Sequence, residues 1–595
     1  MSRKSKTYTS MCPRQYNEML DFYEKLGYST KQCQALSESC FGADIIVEEN
    51  AYYNEDWSFY RNYRSPSPPS GGFMGMAQSL FSGRMKRSAP ACGMPVCESE
   101  PLEDGCPAME APVMEAEAML CGAAAAPVPV PAAEPSEFNT AETKAAPENE
   151  LTTPMDKPQA IFSANVNTAS WSYVRSCILT KRNIDRDFVR IEEIINSYKY
   201  SLREPEEDQL FSVNIKKGDC GWNKDARLMF IGLKGKKTDR RVKQNLAFLV
   251  DVSGSMEDEW ILTQMSMAAV ASKLGEGDKL SIIAYSDNTV TVIRSMDCAN
   301  KQDIVDAILS VDGIGGCTNG SEGLTNAYDY LQENFDKEAN NRVFIFTDGD
   351  FNFGITSEGG LTEFIKKKRS TGIYLSIVGY GRHNFKDNKM EALAKNGNGN
   401  YSFVANPYDI LDNLWEKLVS NLVTIAKDVK ISVELNPKYV RSYRLIGYDS
   451  RALTQKEFND TEKAVDGIGS GHNVAAVIEY TPGEAKEEYS SRYVKKEAAE
   501  ADEEFAFIEI HYKSPEDENL VMTYAVTKEE LNSADSKNMA VASLLAAFGL
   551  LVKNSGYKGS VDKEYLKAAV SALGGDPSEE KPGSHFRIIR TYASS

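Results

Sequence analysis

Short apolar runs alternate with helical patterns through the middle of the chain. The runs at residues 246–250, 280–285, 342–347 and 373–378 are typical of strands that are buried on both faces of a parallel sheet. Apolar residues at helical spacing fill the stretches between these runs. The alternation predicts an α/β domain with a doubly wound, mainly parallel, Rossmann-like sheet over residues 245–423.

Further strands are predicted on both sides of this domain, and several of them alternate apolar and polar residues. Two precede the domain: residues 210–215 alternate, and the run at residues 227–233 is more continuous. The strands that follow it lie at residues 429–435, 439–448, 473–480, 505–512 and 520–526. Such alternation is typical of antiparallel sheets with one buried face. We therefore predict an antiparallel β-sandwich built from chain on both sides of the α/β domain, which is inserted in the sandwich or flanked by it.

Helical patterns and one low-complexity stretch account for the rest of the chain. Residues 1–62 are predicted to form a small helical module. Residues 63–156 lack periodicity and are rich in Pro, Ala, Gly, Ser and Glu, which predicts a flexible linker. Residues 157–244 combine helices with the first strands, residues 424–530 hold the later strands, and residues 531–595 form a C-terminal helical region.

Within the region before the α/β domain, two helices are predicted. Polar residues between Phe162 and Ser170 are predicted to cap a helix that carries Trp171. A second helix is predicted at residues 188–195. At the end of the α/β domain, the pattern over residues 408–423 predicts a long closing helix.

Composition and charge narrow the class of partner. The 595 residues carry a formal net charge of -19, which disfavours nucleic acid or an anionic membrane surface as the main partner. A hydrophobic content of 42% is ample for cores in several domains. The 11 cysteines are an odd number without a Cys-x-x-Cys pair, which favours free thiols in a reducing compartment. Because no signal peptide or membrane span can be read, the sequence predicts a cytoplasmic protein.

A polar loop follows the apolar run at residues 246–250. Asp251, Ser253 and Ser255 stand at alternating positions in it, and Gly254 lets the backbone turn before a helix begins. Loops at the carboxyl ends of strands are where open α/β sheets bind their ligands. One carboxylate and two hydroxyls are hard oxygen ligands, which suit Mg²⁺ and leave it positions for water or for a partner.

Two later stretches present similar side chains. A glycine-rich loop places Thr318 before a helix, and a second buried strand ends in Asp348. Together with the first loop they resemble the metal-ion-dependent adhesion site of von Willebrand factor type A (VWA) domains, whose five positions match Asp251, Ser253, Ser255, Thr318 and Asp348. The resemblance implies a bound Mg²⁺ or Mn²⁺ that Ser253, Ser255 and, in some states, Thr318 contact directly. Asp251 and Asp348 would contact the ion directly or through water.

The flanking regions resemble those of a group of bacterial VWA proteins. The resemblance covers roughly residues 160–595 and includes the helix with Trp171, the stretch 425–429 and the C-terminal helices. Asn165 and Asn167 stand where the group usually has aspartates. Members of the group often carry export or lipid-attachment signals, so the resemblance implies the cell envelope as an alternative location.

The chemistry of the metal site indicates binding. With neutral hydroxyls as its main direct ligands, a cation keeps much of its charge and an open position, which an Asp or Glu of a partner protein is suited to fill. We therefore expect a metal-dependent adhesion or assembly module that acts on a protein the sequence does not identify. The alternative is a scaffold in which an acidic residue of the same chain fills the site. The metal would then be structural or regulatory, and the flanking domains would carry the function.

Catalytic motifs are missing from the sequence. The four histidines lack metallohydrolase spacing, and no G-x-S-x-G elbow is present. The glycine-rich stretch 467–471 precedes a strand instead of opening a helix, which predicts a turn and not a phosphate loop. We therefore expect that the protein is not an enzyme.

Overall fold

The computed structural model describes the α/β domain, its flanking regions and short N-terminal segments. The residues that it describes are 9–11, 20–24, 26–33, 45–47, 147–164, 167–238, 241–311, 315, 320–349, 358–380, 387–410, 414, 423–461, 463, 465, 467–485, 503–532, 536–574 and 583–595. The predicted linker up to residue 146, most of the predicted N-terminal module and Thr318 lie outside these residues. Within these ranges, no helix is both long enough and apolar enough to cross a membrane.

The secondary structure follows the predicted alternation. In the described ranges the strands are β1 (Thr9–Met11), β2 (Ile45–Val47), β3 (Gln159–Ser163), β4 (Phe211–Asp219), β5 (Arg227–Gly235), β6 (Lys243–Asp251), β7 (Lys279–Tyr285), β8 (Thr289–Asp297), β9 (Ala339–Thr347), β10 (Ile373–Gly379), β11 (Tyr401–Phe403), β12 (Thr424–Leu435), β13 (Val440–Ile446), β14 (Ile468–Gly469), β15 (Asn473–Pro482), β16 (Glu504–Lys513) and β17 (Asn519–Thr527). The helices are α1 (Ala169–Leu179), α2 (Ile191–Ile195), α3 (Trp260–Ala271), α4 (Lys301–Leu309), α5 (Ser321–Glu333), α6 (Glu358–Ser370), α7 (Asp387–Asn396), α8 (Pro407–Asp409), α9 (Gln455–Asn459), α10 (Lys528–Leu531), α11 (Ser536–Lys553), α12 (Lys563–Ala572) and α13 (His585–Ser594).

The α/β domain is built on a mainly parallel sheet with helices on both faces. In the described part of the chain its strand order is β11-β10-β9-β6-β7-β8, and only β7 and β8 are antiparallel neighbours. Phe248 on one face of β6 shares a core with α3 and α4, whereas Leu249 on the other face shares a core with α5, α6 and α7. Burial on both faces explains why residues 246–250 form an unbroken apolar run. The predicted doubly wound fold is confirmed.

The antiparallel strand β8 is an element that the sequence does not predict. It pairs with β7 at the edge of the sheet. Most of its side chains are exposed or half-buried, and Val290 is 58% exposed. Because the side chains of this edge strand are largely exposed to solvent, it needs no continuous apolar run. Its sequence pattern therefore indicates a strand only weakly.

The predicted antiparallel β-sandwich is also confirmed. In the described residues one of its sheets has the order β13-β15-β5-β4 and the other the order β14-β12-β16-β17, with β3 paired to β12. Because β5 pairs with β15, strands from before and after the α/β domain are neighbours in one sheet. Phe211, Ile231, Val433 and Ile508 belong to one apolar core that both sheets share. The α/β domain is therefore inserted in the sandwich.

Helices from both ends of the described chain pack together beside the sandwich. The long helix α11 shares an apolar core with α1, α2, α12 and α13 and with residues of β5 and β15. The rings of Trp171 in α1 and Phe548 in α11 meet edge to face, with centroids 6.3 Å apart. The helix α13, which the sequence does not predict, adds Phe586 and Ile589 to this core.

The helix predicted to carry Trp171 is α1, and Thr168, from the predicted capping stretch, immediately precedes it. Two details of the predictions for this region are wrong. Phe162 and Ser163 belong to β3 and not to the capping stretch, because residues 159–163 pair with β12 and bury Phe162 completely. The helix predicted at residues 188–195 is a 3₁₀ turn, Arg186–Phe188, that is followed by the short helix α2. The long helix predicted at residues 408–423 lies mostly outside the described residues, which include α8 at its start.

The end of the predicted linker is packed against the folded protein. Thr152 forms an antiparallel bridge with Tyr443, and the Asn149 side chain donates a hydrogen bond of 2.7 Å to the Gly447 carbonyl oxygen. Asn149 and Thr152 lie within the stretch assigned to the linker, so the prediction of a flexible linker does not hold for this part of residues 147–156. The described N-terminal segments also contact the α/β domain, since the Tyr28 hydroxyl donates to the Ala268 carbonyl oxygen of α3 over 2.7 Å.

One glycine after β13 is required by its contacts as well as by its backbone. Gly447 has φ +72°, and a Cβ there would lie 2.6 Å from the Glu192 backbone nitrogen. Gly471 has a similar φ of +68°, but the nearest atom to its Cβ would be the Lys237 Cγ at 3.7 Å. We expect Gly447→Ala to lower the free energy of unfolding by about 2–5 kcal/mol, through backbone strain and overpacking. Gly471→Ala should lower the free energy of unfolding by the backbone strain alone, about 1–2 kcal/mol. Calorimetric unfolding of both variants tests this, and equal losses would show that the contact with Glu192 adds nothing.

Candidate metal centre

Parallel pairing brings the ends of three strands to one edge of the sheet in the α/β domain. In the register of β6 and β7, Asp251 lies opposite Tyr285. In the register of β6 and β9, Val250 lies opposite Phe346, so Asp251 and Thr347 end neighbouring strands. We call this carboxyl edge, with Asp251, Ser253, Ser255 and Asp348, the metal edge.

Asp251 is completely buried, and its carboxylate is held by hydrogen bonds from the chain. Its Oδ1 accepts from the Ser253 backbone N–H over 3.0 Å. Its Oδ2 accepts from the Tyr285 hydroxyl over 3.2 Å and from the Thr347 hydroxyl over 3.1 Å. Burial raises the pKa of Asp251, and the charge of Asp348 adds to the rise, while hydrogen bonds from Ser253 and Thr347 oppose it. The carboxylate is thus fixed in one orientation, and Oδ1 is the oxygen with spare accepting capacity.

The two predicted serine ligands are side by side. Ser253 is buried, with an extended backbone, and precedes a 3₁₀ turn at Gly254–Glu259, while Ser255 is exposed. Their Oγ atoms are 3.1 Å apart. Neighbouring ligands of an octahedral Mg²⁺ at about 2.1 Å are separated by about 3 Å, so this spacing suits two ligands of one ion. Because Ser253 is buried and Ser255 is exposed, an ion held by both residues would lie near the surface of the domain.

Gly315, three residues before Thr318 in the sequence, lies beside the first loop of the metal edge. Thr318 lies outside the described residues, but Gly315 of the same loop donates its N–H to the Val252 carbonyl oxygen over 2.8 Å. At the start of the following helix α5, a Cβ on Gly323 would lie 2.8 Å from the Leu249 side chain. Gly323 lets α5 approach β6 closely, and Gly315 is anchored to Val252, the residue after Asp251.

Asp348 follows β9 at the metal edge and is half-buried. The next residue, Gly349, has φ +96° and donates its N–H to the Thr347 hydroxyl oxygen over 3.1 Å, which turns the chain away from the sheet. The influence of Asp348 on the pKa of Asp251 places the two carboxylates within electrostatic range of each other. Four of the five predicted site residues are therefore brought to one edge of the sheet.

Two residues that the sequence did not assign to the site hold Asp251 in place. Tyr285 and Thr347 are each the last residue of a strand next to β6, and each donates to Asp251 Oδ2. A polar residue that ends a buried apolar run is a usable signal, because it reaches the same edge as the loop of the neighbouring strand.

The donor set fits a hard divalent cation. Among the described residues, no group of three or more His, Cys, Asp or Glu side chains is placed to hold a metal ion. A site at the metal edge must therefore use hydroxyl oxygens together with the carboxylates. Oxygen ligands of this kind suit Mg²⁺ and Mn²⁺ better than a softer ion that prefers thiolates.

Comparison with known families identifies the regions of the chain. The model of the von Willebrand factor type A domain matches residues 245–417, and a model described as von Willebrand factor matches residues 137–230. The model described as uncharacterized protein YfbK, C-terminal, matches residues 420–593. The α/β domain is thus similar to VWA domains, and the later sandwich strands and C-terminal helices are similar to the end of YfbK.

Individual relatives agree with these matches. The uncharacterized protein YfbK of Escherichia coli (strain K12) is 30% identical over 454 residues, which cover 74% of this chain and 79% of the relative. The uncharacterized protein sll0103 of Synechocystis is 28% identical over an aligned region that covers 30% of this chain and 42% of sll0103. Among solved structures, a von Willebrand factor type A protein from Catenulispora acidiphila is 13% identical, with a TM-score of 0.35. The superposed region covers 63% of this chain and 89% of that structure.

Proposed function

Because the chain belongs to the YfbK family of proteins with a VWA domain, we propose that it binds Mg²⁺ or Mn²⁺ at the metal edge and captures an acidic side chain of a partner protein. VWA domains in general are metal-dependent modules of adhesion and protein interaction. The single observation that carries the proposal is the pair of hydroxyl oxygens of Ser253 and Ser255, 3.1 Å apart beside the buried carboxylate of Asp251.

Each residue of the metal edge has a distinct role in this proposal. Ser253 and Ser255 would hold the ion directly, and Thr318 joins them by resemblance to the family. Asp251 balances the charge and fixes the loop, because its Oδ1 already accepts the Ser253 N–H. Asp348 adds a second carboxylate at the surface of the site. A bound cation supplies a positive centre whose charge is only partly neutralised, since two of its protein ligands are neutral hydroxyls.

The charge of the whole chain makes the metal decisive for recognition. A net charge of -19 repels an acidic partner when no cation is present. A carboxylate of the partner gains a charge-assisted bond only where a cation is held at the surface. Affinity should therefore depend steeply on the metal, and one Asp or Glu of the partner should dominate it.

We propose further that the metal edge binds without catalysing a reaction. The Asp251 carboxylate accepts hydrogen bonds from Ser253, Tyr285 and Thr347, so it is not placed to take a proton from a substrate. The neutral hydroxyls of Ser253 and Ser255 bond to each other, and among the described residues no histidine or lysine is bonded to them that would activate them.

The exposed serine offers the cleanest test. Ser255→Ala removes one neutral ligand, and we expect Mg²⁺ binding to weaken about tenfold, or about 1.4 kcal/mol. In pull-downs from source-cell extract, the full chain should retain a partner in Mg²⁺ or Mn²⁺, release it in EDTA, and lose it in the variant. Exchange of single acidic residues in that partner should then abolish retention at one position.

The matched control is Ser571→Ala, at an exposed serine of α12 whose hydroxyl bonds only within its own helix. It should bind metal and partner like the unaltered chain. Equal metal affinity in Ser255→Ala and the unaltered chain would reject the metal edge as the binding site. Retention that survives EDTA would reject capture through the metal, and metal-dependent stabilisation with no acidic partner would favour the self-liganded scaffold.

A further inference from the structure

A second candidate site lies where the VWA domain meets the β-sandwich. A cleft with a cavity of about 30 Å³ opens between the two, lined among others by Arg342, Lys395, Asn398, Thr424, Gly467 and Gly469. The first three belong to the VWA domain, and the others belong to β12, β14 and the residue before β14. The volume accommodates one or two waters or the oxygens of a small anion, and it is too small for a sugar or a base. We call it the anion cleft.

Arg342 is the central feature of the anion cleft. It lies in β9 with 4% of its surface exposed. Its Nη1 donates to the Ser376 hydroxyl over 2.7 Å, its Nε to the Asn340 side-chain oxygen over 3.4 Å, and its guanidinium lies 5.5 Å from the Tyr374 ring centroid. All of these partners are neutral. In the described part of the chain, Arg342 forms no ion pair and its Nη2 has no acceptor.

An arginine buried in this way is costly unless an anion accompanies it. Taking a cation out of water is strongly unfavourable without a compensating charge, and buried arginines in proteins are normally paired with carboxylates. Burial lowers the pKa of Arg342 to about 10, as expected for a cation that lacks a nearby negative charge. The other buried arginines of the described residues show the contrast, since each has a carboxylate partner: Arg175 pairs with Asp409, Arg444 with Glu479 and Arg451 with Glu391.

A second cation faces the same cleft. Lys395, at the end of α7, is half-buried and forms no ion pair in the described residues. Two uncompensated positive groups beside one cavity repel each other unless an anion lies between them. Carboxylates are abundant in a chain with a net charge of -19, yet none of those in the described residues pairs with either cation.

The loop between the two cations is held rigidly against the arginine. A Cβ on Gly399 would lie 1.7 Å from the Leu375 carbonyl oxygen and 2.9 Å from Arg342 Nη1, so only glycine fits. The Asn400 backbone N–H donates to the same Ser376 hydroxyl that Arg342 contacts, over 3.3 Å. Asn398 has φ +51° and lines the cleft. The cleft is therefore preorganised by backbone contacts and is not an incidental gap between side chains.

We propose that the anion cleft binds a small phosphate-type oxyanion, held by Arg342 and Lys395 at the junction of the VWA domain and the β-sandwich. Bidentate contact with the planar guanidinium and a point contact with the ammonium match the geometry of such an anion. In the register of β6 and β9, Arg342 lies opposite Leu246, about 16 Å along β6 from Asp251 at ~3.3 Å per residue. The anion cleft is thus distinct from the metal edge. A bound anion would join the inserted domain to the sandwich.

The experiment compares the full chain and its variants in phosphate and in chloride at equal ionic strength. For the unaltered chain we expect inorganic phosphate to raise Tm by at least about 2 °C and to bind measurably in calorimetry. Lys395→Gln should weaken phosphate binding about tenfold and leave the fold intact. Lys367→Gln, at an exposed lysine of α6, is the matched control and should change nothing.

The buried arginine provides a second, independent readout. Arg342→Met keeps an unbranched side chain and removes the charge, so it should abolish the phosphate response and raise Tm in phosphate-free buffer. An arginine with a purely structural role predicts the opposite, a lower Tm in every buffer, and that result would overturn the proposal. Glycerol 3-phosphate separates the two sources of the anion, because equal binding of it indicates the phosphate group of a small metabolite, whereas binding of inorganic phosphate alone indicates the free ion.

One residue of the chain itself is a competing occupant. Asp466 stands between the lining residues Val465 and Gly467 in the sequence and lies outside the described residues. If its carboxylate fills the cleft, the unaltered chain will not respond to phosphate and Asp466→Asn will. That pair of results would overturn the proposal, whereas a phosphate response in the unaltered chain supports it.

Discussion

Asp251→Asn is expected to weaken Mg²⁺ binding by roughly a thousandfold while the protein remains folded. Two unit charges about 4 Å apart near a protein surface interact with about 4 kcal/mol, which corresponds to roughly three powers of ten in affinity. The charge on Mg²⁺ is double, but water among its ligands screens part of the interaction. Because Ser253 and Ser255 are neutral, Asp348 would be the single acidic group left among the described residues of the metal edge.

The hydrogen bonds around Asp251 explain why the fold should survive this change. An asparagine whose side-chain oxygen takes the place of Oδ1 still accepts the Ser253 N–H. Its amide nitrogen then lies where Oδ2 was and can donate to the oxygens of Tyr285 and Thr347, since hydroxyl groups rotate and accept as well as donate. The substitution therefore removes charge with little change in volume or hydrogen bonding, and the loss should be specific to the metal.

Titration calorimetry with Mg²⁺ and Mn²⁺ measures the effect, with the melting temperature followed in metal and in EDTA. Asp303→Asn, at an exposed aspartate in the first turn of α4, is the matched control and should bind metal normally. The unaltered chain should be stabilised by metal and the Asp251 variant should not. If Asp251→Asn binds Mg²⁺ within a factor of ten of the unaltered chain, the ion is held elsewhere and the metal edge is not the site.

The sequence is sufficient to predict candidate ligands at the metal edge but not the residues that hold them in place. Asp251, Ser253 and Ser255 lie in one loop, and together with Thr318 and Asp348 they form the pattern that predicts a site. Tyr285 and Thr347 come from two other strands, and their contact with Asp251 depends on strand order and register. A single sequence does not give those quantities, because a buried run predicts a strand without saying which strand lies beside it.

The same limit applies to the rest of the fold. Both faces of β6 are buried, so its continuous apolar run predicts a strand directly. The patterns of the sandwich strands likewise predict them without knowledge of their partners. The strand β3 was missed because its identity depends on pairing with β12, far away in the sequence. In the sequence, Arg342 is only part of a strand pattern. Its burial away from any carboxylate of the described residues depends on how β10 and the loop after α7 pack around it.

A fragment of residues 424–595 alone is not expected to fold, although it contains most of the sandwich strands and the C-terminal helices. In the complete chain β15 pairs with β5, which pairs with β4, and β12 pairs with β3. One sheet of the fragment would therefore lose two strands and the other sheet one. The core around α11 would also lose α1 and α2, which contribute Trp171 and Ile194. Exposed strand edges and apolar faces on both layers leave the fragment without a closed core.

Circular dichroism and amide-proton NMR of the fragment should show an unfolded or aggregated chain with no cooperative thermal transition. The control is a fragment of residues 147–595. It keeps the strands and helices that precede the VWA domain and should unfold cooperatively. Adding residues 147–242 as a separate chain should restore structure to the shorter fragment, because these residues supply β3, β4, β5, α1 and α2. Cooperative unfolding of residues 424–595 alone would contradict this prediction, because the later strands would then fold without the pairings to β3 and β5.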